Sequence, residues 1–360
     1  MKKVLYRIRQ YILSRFLHLT EHKTAHIEEG AGSVNRIPSL LENEGAKSVL
    51  LVTTPGTIHR GMLCEMQELA AKKGIAFTVF TEVPNDPDIA SVEAGRAKYS
   101  ENDCRAIVAV GGGSVLDCAK MIGARVARPR RTVAQMRGAL KVGRKLPFLI
   151  AVPTTAGTGS EVTAAAVIKE IKNGVHDKYP VSDLHLIPRV AVLDATLTRT
   201  LPPSLTAATG MDALTHAVEA YTNLFASKYV QNTAREAVYT IFQTLPRAVE
   251  NGEDLEARGK MLHASMQAGI AFTNNFVGYV HALAHAIGGL YGVPHGKANA
   301  VLLPAVFDEF GKSAYKKLSQ LAAVIGVEKA TEQESAAAFP AAVRELRETV
   351  KMPENFPELR

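Results

Sequence analysis

The chain has 360 residues, 47% of them apolar and 21% charged, which is enough for two packed domains and excludes a disordered chain. Its formal net charge of +7 favours an anionic partner, but Lys and Arg are scattered and no basic stripe interleaves with aromatics, which sets a phosphate-bearing cofactor ahead of nucleic acid. Cys64, Cys104 and Cys118 form no Cys-x-x-Cys pair and no even disulfide set, no apolar run reaches the roughly 18–20 residues of a membrane span, and no apolar leader with a cleavage site opens the chain, so free thiols and a cytoplasmic location are expected.

Residues 1–22 are a basic amphipathic extension in which Lys2, Lys3, Arg7, Arg9 and Arg15 interleave with Val4, Leu5, Ile8, Ile12, Phe16 and Leu17. Such a pattern can lie on a membrane surface, but nothing else points to a membrane. The expectation is a helix packed on its own domain or on a neighbouring subunit. Across 23–201, β-branched runs at 47–53, 77–83, 105–110, 148–152 and 190–194 alternate with helical stretches. That rhythm implies an α/β domain with a mostly parallel, Rossmann-like sheet covered on both faces, with ligands gathered at the strands' carboxyl ends.

The third of these strands runs Val108-Ala109-Val110 into Gly111-Gly112-Gly113-Ser114 and then a helix expected to reach Val126. Glycines let backbone approach a phosphate, and the first N–H groups of the helix present the positive end of its dipole. The spacing is not Gly-x-Gly-x-x-Gly, because Leu116 stands where the third glycine would be, so a standard dinucleotide fingerprint fails. Taken alone, the motif also suits a plain tight turn. A second loop, Pro153-Thr154-Thr155-Ala156-Gly157-Thr158-Gly159-Ser160-Glu161-Val162-Thr163, follows the next apolar strand. Its hydroxyls could bind phosphate or carboxamide oxygens while Gly157 and Gly159 permit close approach. Two such loops suggest an extended diphosphate, with a structural Ser/Thr-rich turn as the alternative.

After Leu201-Pro202-Pro203 the strand runs vanish, and Ala-rich helical periodicity fills 204–221, 234–250 and 255–275, so 202–360 is expected to be an all-helical domain. Asp212 and His216 lie one turn apart and share a helix face. They could hold one cation, although such a pair is commoner as a surface contact. His281, His285 and His295 fall within 15 residues among apolar neighbours, His281 and His285 again one turn apart and His295 in a Pro-Gly turn that could fold it back. Buried imidazoles need partners, and a shared metal satisfies several together, as carbonyl bonds also would. One carboxylate with up to three imidazoles suits Fe(II), Zn(II), Mn(II) or Co(II), and an open position would make the ion a Lewis acid on a substrate oxygen.

These stretches, with Asp117, Lys120, Leu193-Asp194 and Ala298-Asn299-Ala300-Val301-Leu302-Leu303-Pro304, resemble the iron-containing (group III) alcohol dehydrogenases from about residue 30 to about residue 327. The resemblance implies an α/β dinucleotide-binding domain and a helical metal-binding domain, the dehydroquinate synthase-like fold. It implies Fe(II), with Zn(II) or another divalent metal as the alternative, on Asp212, His216, His281 and His295. It places His285 near the nicotinamide, for orientation or proton transfer, and dinucleotide contacts at Gly112, Gly113, Ser114, Asp117, Thr154, Thr155, Thr158, Ser160 and Lys178. The implied activity is hydride transfer between a small alcohol or aldehyde and NAD or NADP by a homo-oligomer. The rival on this scaffold is a non-redox metal lyase of the dehydroquinate synthase type, against which His216 argues. Two departures stand out: Thr54 occupies a position where NAD-preferring members often carry aspartate, which suggests relaxed or NADP preference, and the chain stops at Arg360, short of the late helices expected from the family.

Overall fold

The computed structural model describes residue 11, residues 23–172 and residues 175–356. Two compact units emerge, one of Thr24–Thr155 with Ser160–Arg199 and one of Thr200–Arg360 with Ala156–Gly159. In the first unit the elements run β1 (His26–Glu29), α1 (Ile37–Asn43), β2 (Ser48–Val52), α2 (Pro55–His59), α3 (Cys64–Lys72), β3 (Ala76–Phe80), α4 (Ile89–Glu101), β4 (Ala106–Gly111), α5 (Gly113–Ala127), β5 (Gly138–Ala139), β6 (Phe148–Pro153), β7 (Ala165–Lys172), β8 (Val175–Ser182) and β9 (Val190–Leu193). Six strands pair in the order β1-β9-β6-β4-β2-β3, all parallel.

The centre of the sheet is buried because β2, β4, β6 and β9 are apolar on both faces. Along β4, Ala106, Val108 and Val110 join Val49, Leu51, Ile150 and Val152 on one side, over Ile37, Leu41 and Met66. Ile107 and Ala109 join Leu50, Val52 and Leu149 on the other side, over Val115, Ala119 and Ile122 of α5. Each buried Val or Leu contributes on the order of 1.5–3 kcal/mol. The register aligns Val52 with Ala109 and Gly111 with Pro153, so β2, β4 and β6 end side by side.

All five expected strands are present, with the second ending at Phe80 rather than at 83. Four further strands were not anticipated. β1 is a polar edge strand, and β5, β8 and β7 form a separate sheet in which β7 and β8 pair antiparallel, with Val167 opposite Pro180. Proline inside a run argues against a strand, which is why β8 escaped sequence reasoning.

The second unit is helical: α6 (Pro203–Thr222), α7 (Lys228–Glu250), α8 (Leu255–Thr273), α9 (Tyr279–Tyr291), α10 (His295–Phe310), α11 (Tyr315–Val324) and α12 (Glu332–Thr349). Serine, aspartate and threonine side chains cap α7, α8 and α12 at Ser227, Asp254 and Thr331. α7 therefore begins six residues before the expected 234. Helix α6 runs through the centre, with Met211, Leu214 and Val218 packed on Val238, Ile241 and Leu245 of α7 and Met261 of α8. Of the basic amphipathic segment only Tyr11 is described, its ring 6.0 Å edge-on from Phe225; the remainder of that reading lies outside the described residues. None of the described helices is long and apolar enough to cross a membrane.

Candidate metal centre and dinucleotide loops

Three consecutive turns of α6 present polar residues on one face at Asp212, His216 and Glu219, a spacing of four and then three residues. All three are buried, and a buried polar residue without a partner is costly. The partners come from α9 and α10. Ligand atoms of Asp212, His216 and His281 lie within 4.8 Å of one another, and His295 Nε2 is 3.4 Å from Asp212 Oδ1. The His216 and His281 rings stack at 4.4 Å, and the His281 and His295 rings lie 5.4 Å apart. One carboxylate and three imidazoles converge, with Asp212, His216 and His281 buried and the His295 side chain 38% exposed. That donor set fits a first-row divalent cation.

Two of the imidazoles, His216 and His281, have the outward nitrogen occupied, which aims the other one inward. His216 Nδ1 meets the Gly157 carbonyl at 3.2 Å, and His281 Nδ1 meets Glu219 Oε2 at 2.6 Å. The Glu219 carboxylate also accepts the N–H groups of Gly278 at 2.9 Å and Val280 at 2.7 Å. It thus caps α9 while orienting His281. Gly278 is required here, since a Cβ would stand 2.7 Å from Glu219 Oε1.

Burial pushes His216 down to about 3 against the pull of Asp212, so its imidazole is neutral. At His281 burial also opposes the charge, but the Asp212 and Glu219 carboxylates outweigh it and raise the pKa to about 9. Burial disfavours the Asp212 carboxylate, yet the surrounding imidazoles of His216, His295 and His281 hold it well below the usual range.

His285 sits one turn beyond His281 on α9, its ring 4.8 Å from that of His295 and 6.4 Å from that of His281. His295 is not in a turn: it opens α10 directly after Pro294. Gly296 is helical, and a Cβ there would lie 2.3 Å from the Ala208 carbonyl, so this glycine permits α10 to approach α6.

In the sheet unit, Thr54, the Gly112–Gly113–Ser114 turn and Thr154–Thr155 follow the adjacent ends of β2, β4 and β6. Gly112 precedes α5 without a side-chain cap, which leaves N–H groups of the first turn for an anion. Thr54 caps α2, its Oγ1 accepting from Thr57 N at 3.2 Å. Thr154 N donates to the Gly111 carbonyl at 3.0 Å, and Thr155 packs 3.5 Å from where a Gly112 Cβ would be.

Other anticipated contacts are engaged within the protein. Asp117 accepts from Ser160 Oγ at 2.6 Å and Val167 N at 2.8 Å. Ser114 donates to the Asn85 carbonyl, and Lys178 pairs with Asp86 at 2.6 Å. Thr158 lies at the loop tip Ala156–Gly159, which belongs to the helical unit. There Gly157 abuts Thr209, and Gly159, at φ +60°, would place a Cβ 2.6 Å from Gly269 Cα. These two glycines permit packing against α6 and α8, a reason for glycine that the sequence did not suggest.

Sequence reasoning missed Glu219 and Asn299. Glu219 could have been found as the third polar position on an otherwise apolar helix face. Asn299, one turn after His295, gives no ligand signal by residue type.

Comparison with known proteins shows two matches to family models, "Iron-containing alcohol dehydrogenase" over residues 24–195 and "Fe-containing alcohol dehydrogenase family, C-terminal" over residues 206–360. The chain is 40% identical to alcohol dehydrogenase 4 of Schizosaccharomyces pombe over 84% of its length and 71% of that protein's. An alcohol dehydrogenase from Oenococcus oeni superposes with a TM-score of 0.89 at 33% identity, covering 93% of this chain and 88% of that one. Sulfoacetaldehyde reductase from Bifidobacterium kashiwanohense, solved in complex with NAD+, superposes with a TM-score of 0.83 at 29% identity, covering 93% and 86%.

Proposed function

The chain belongs to the iron-containing alcohol dehydrogenase family, and from that premise we propose that it interconverts a small alcohol and its aldehyde using ferrous iron and a freely exchanging NAD(H) or NADP(H). It is an oxidoreductase: its relatives are dehydrogenases and a reductase, and the lyase alternative is set aside. The observation that carries the metal assignment is the convergence of Asp212, His216 and His281, with ligand atoms within 4.8 Å of one another, and of His295 beside them.

In this reading Asp212, His216, His281 and His295 hold the cation, which when bound supplies a Lewis acid to polarise the substrate oxygen. Glu219 fixes the His281 tautomer, and the Gly157 carbonyl fixes that of His216. His285, whose ring lies beside His295, orients the substrate or relays a proton. The uncapped start of α5 at Gly112, Gly113 and Ser114 receives the diphosphate, with Thr154 and Thr155 near it, and Thr158 is a further dinucleotide contact. Asp117 and Ser160, bonded to each other, shape the loop, and Lys178 contributes positive charge near the ribose or diphosphate. Thr54 leaves the end of β2 without the negative charge that would repel a 2′-phosphate, so NADP(H) is accepted beside NAD(H).

The three thiols Cys64, Cys104 and Cys118 suit the reducing cytoplasm. Leu224 and Leu290, 69% and 77% exposed, are large apolar groups of the kind a homo-oligomer covers.

The test is nicotinamide absorbance over a panel of short alcohols, diols and aldehydes, with metal-free protein refilled anaerobically with Fe(II), Zn(II), Mn(II) or Co(II). Turnover highest with Fe(II) and measurable with both dinucleotides is expected. Turnover with a single dinucleotide removes the relaxed-preference reading, and equal rates with and without metal remove the metal assignment.

A further inference from the structure

Asn299 lies on α10 one turn after His295, is fully buried, and is not a residue type that announces a metal site. Its Nδ2 nonetheless donates to Asp212 Oδ1 at 2.6 Å and stands 3.2 Å from His295 Nε2 and 3.3 Å from His281 Nε2. One amide nitrogen thus touches three of the four side chains assigned to the cation, while Asn299 Oδ1 is buried with no hydrogen-bond partner among the described residues. A buried amide oxygen left alone is costly, on the order of 1–3 kcal/mol. The arrangement persists because the nitrogen side is tightly engaged: the bond to Asp212 is short and assisted by the carboxylate charge.

We propose that Asn299 is a positioning residue of the metal centre: its amide holds Asp212 Oδ1 in place between α6 and α10, with the Nε2 atoms of His281 and His295 gathered around the same point. The inference rests on the reading that Asp212, His216, His281 and His295 bind the cation. Its physical content is that a carboxylate fixed by one hydrogen bond keeps its remaining lone pairs aimed at the site instead of turning to other donors. Partners of this kind tune affinity by about 10–100-fold when removed. The reverse geometry, with Oδ1 turned inward, would set two oxygens 2.6 Å apart, so in the metal-free protein the amide nitrogen faces Asp212.

The experiment measures Co(II) affinity by chelator competition, the visible spectrum of the Co(II) form, and the melting temperature of the metal-free protein, in the parent, Asn299→Ala, Asn299→Leu and His281→Ala. Leucine has asparagine's branching and the same number of side-chain heavy atoms but donates nothing, while alanine empties the space, so the pair separates hydrogen bonding from space filling. Expected is a loss of Co(II) affinity of about 10–100-fold in both Asn299 variants, with an altered Co(II) spectrum and near-complete loss of binding in His281→Ala. Parent-like affinity in Asn299→Leu overturns the positioning role, as does an unchanged spectrum in both variants. Parent-like affinity in His281→Ala instead overturns the underlying metal assignment.

Discussion

Glu219→Gln is the sharpest perturbation of the centre that leaves every proposed ligand in place. Glu219 Oε1 accepts from Val280 N at 2.7 Å, and Oε2 accepts from Gly278 N at 2.9 Å and His281 Nδ1 at 2.6 Å. In the variant one of these two positions becomes an NH2. If it faces Val280, one capping bond is lost and two donors confront each other. If it faces Gly278 and His281, two donors are opposed, and His281 relieves its share only by keeping its proton on Nε2 alone, which removes the lone pair a cation would use. Glu219 is 5% exposed, so water cannot repair either arrangement. A lost charge-assisted bond costs about 1.5–3 kcal/mol and a stranded buried donor about 1–3 kcal/mol. Urea denaturation of the metal-free variant is therefore expected to show about 2–5 kcal/mol less stability, and chelator competition about 10–100-fold weaker metal binding. Parent-like stability together with parent-like affinity would refute the argument that Glu219 couples the α9 cap to the His281 tautomer.

Three further outcomes are expected. Gly159→Ala forces a Cβ to within 2.6 Å of Gly269 Cα at a φ of +60°; backbone cannot yield as a side chain can, so calorimetry should record a loss of about 1–3 kcal/mol or more. Burial raises the fully enclosed Glu161 from 4.5 to about 7, against the pull of Lys120 and its own backbone N–H. A raised carboxyl pKa means the folded chain binds the extra proton, so this contribution is complete below about 4.5 and lost as pH climbs to about 7. Glu161→Gln should remove that slope from a series of denaturation curves, and an unchanged slope would show that the group does not titrate there. Thr54→Asp keeps the α2 cap, because aspartate caps as well as threonine. Steady-state kinetics should show the ratio of kcat/KM for NADP(H) to that for NAD(H) falling about tenfold or more, a like-charge effect of roughly 1.4 kcal/mol.

The large-scale design was legible because it is written in hydrophobic pattern. Val49 to Val52 and Ala106 to Val110 are apolar on both faces, and only a covered parallel strand accommodates that. The helical half was equally open, since Asp212 and His216 fall at the spacing of one turn. What stayed hidden depends on contacts distant in sequence. Gly296 beside Pro294 reads locally as a turn, and only its approach to the Ala208 carbonyl explains why a glycine belongs in a helix. Gly157 and Gly159 read locally as phosphate-loop residues, and their close approach to Thr209 and Gly269 is a further reason for glycine there that only the fold reveals. Asp117 and Ser160 face each other across 43 residues, a pairing that no local pattern predicts. Glu219 and Asn299 contact the proposed ligands and are not themselves among them, so their place becomes visible only once α6, α9 and α10 are placed together.

The central claim is that the converged carboxylate and imidazoles hold the metal on which hydride transfer depends. Its most direct test follows nicotinamide absorbance in the Fe(II)-refilled parent and in His281→Ala, with bound iron quantified in the same samples and folding checked by circular dichroism. The account predicts that the folded variant loses iron and turnover together, while the parent loses turnover on chelation and regains it on refilling. A folded His281→Ala protein that retains iron and turns over at the parent rate would contradict it.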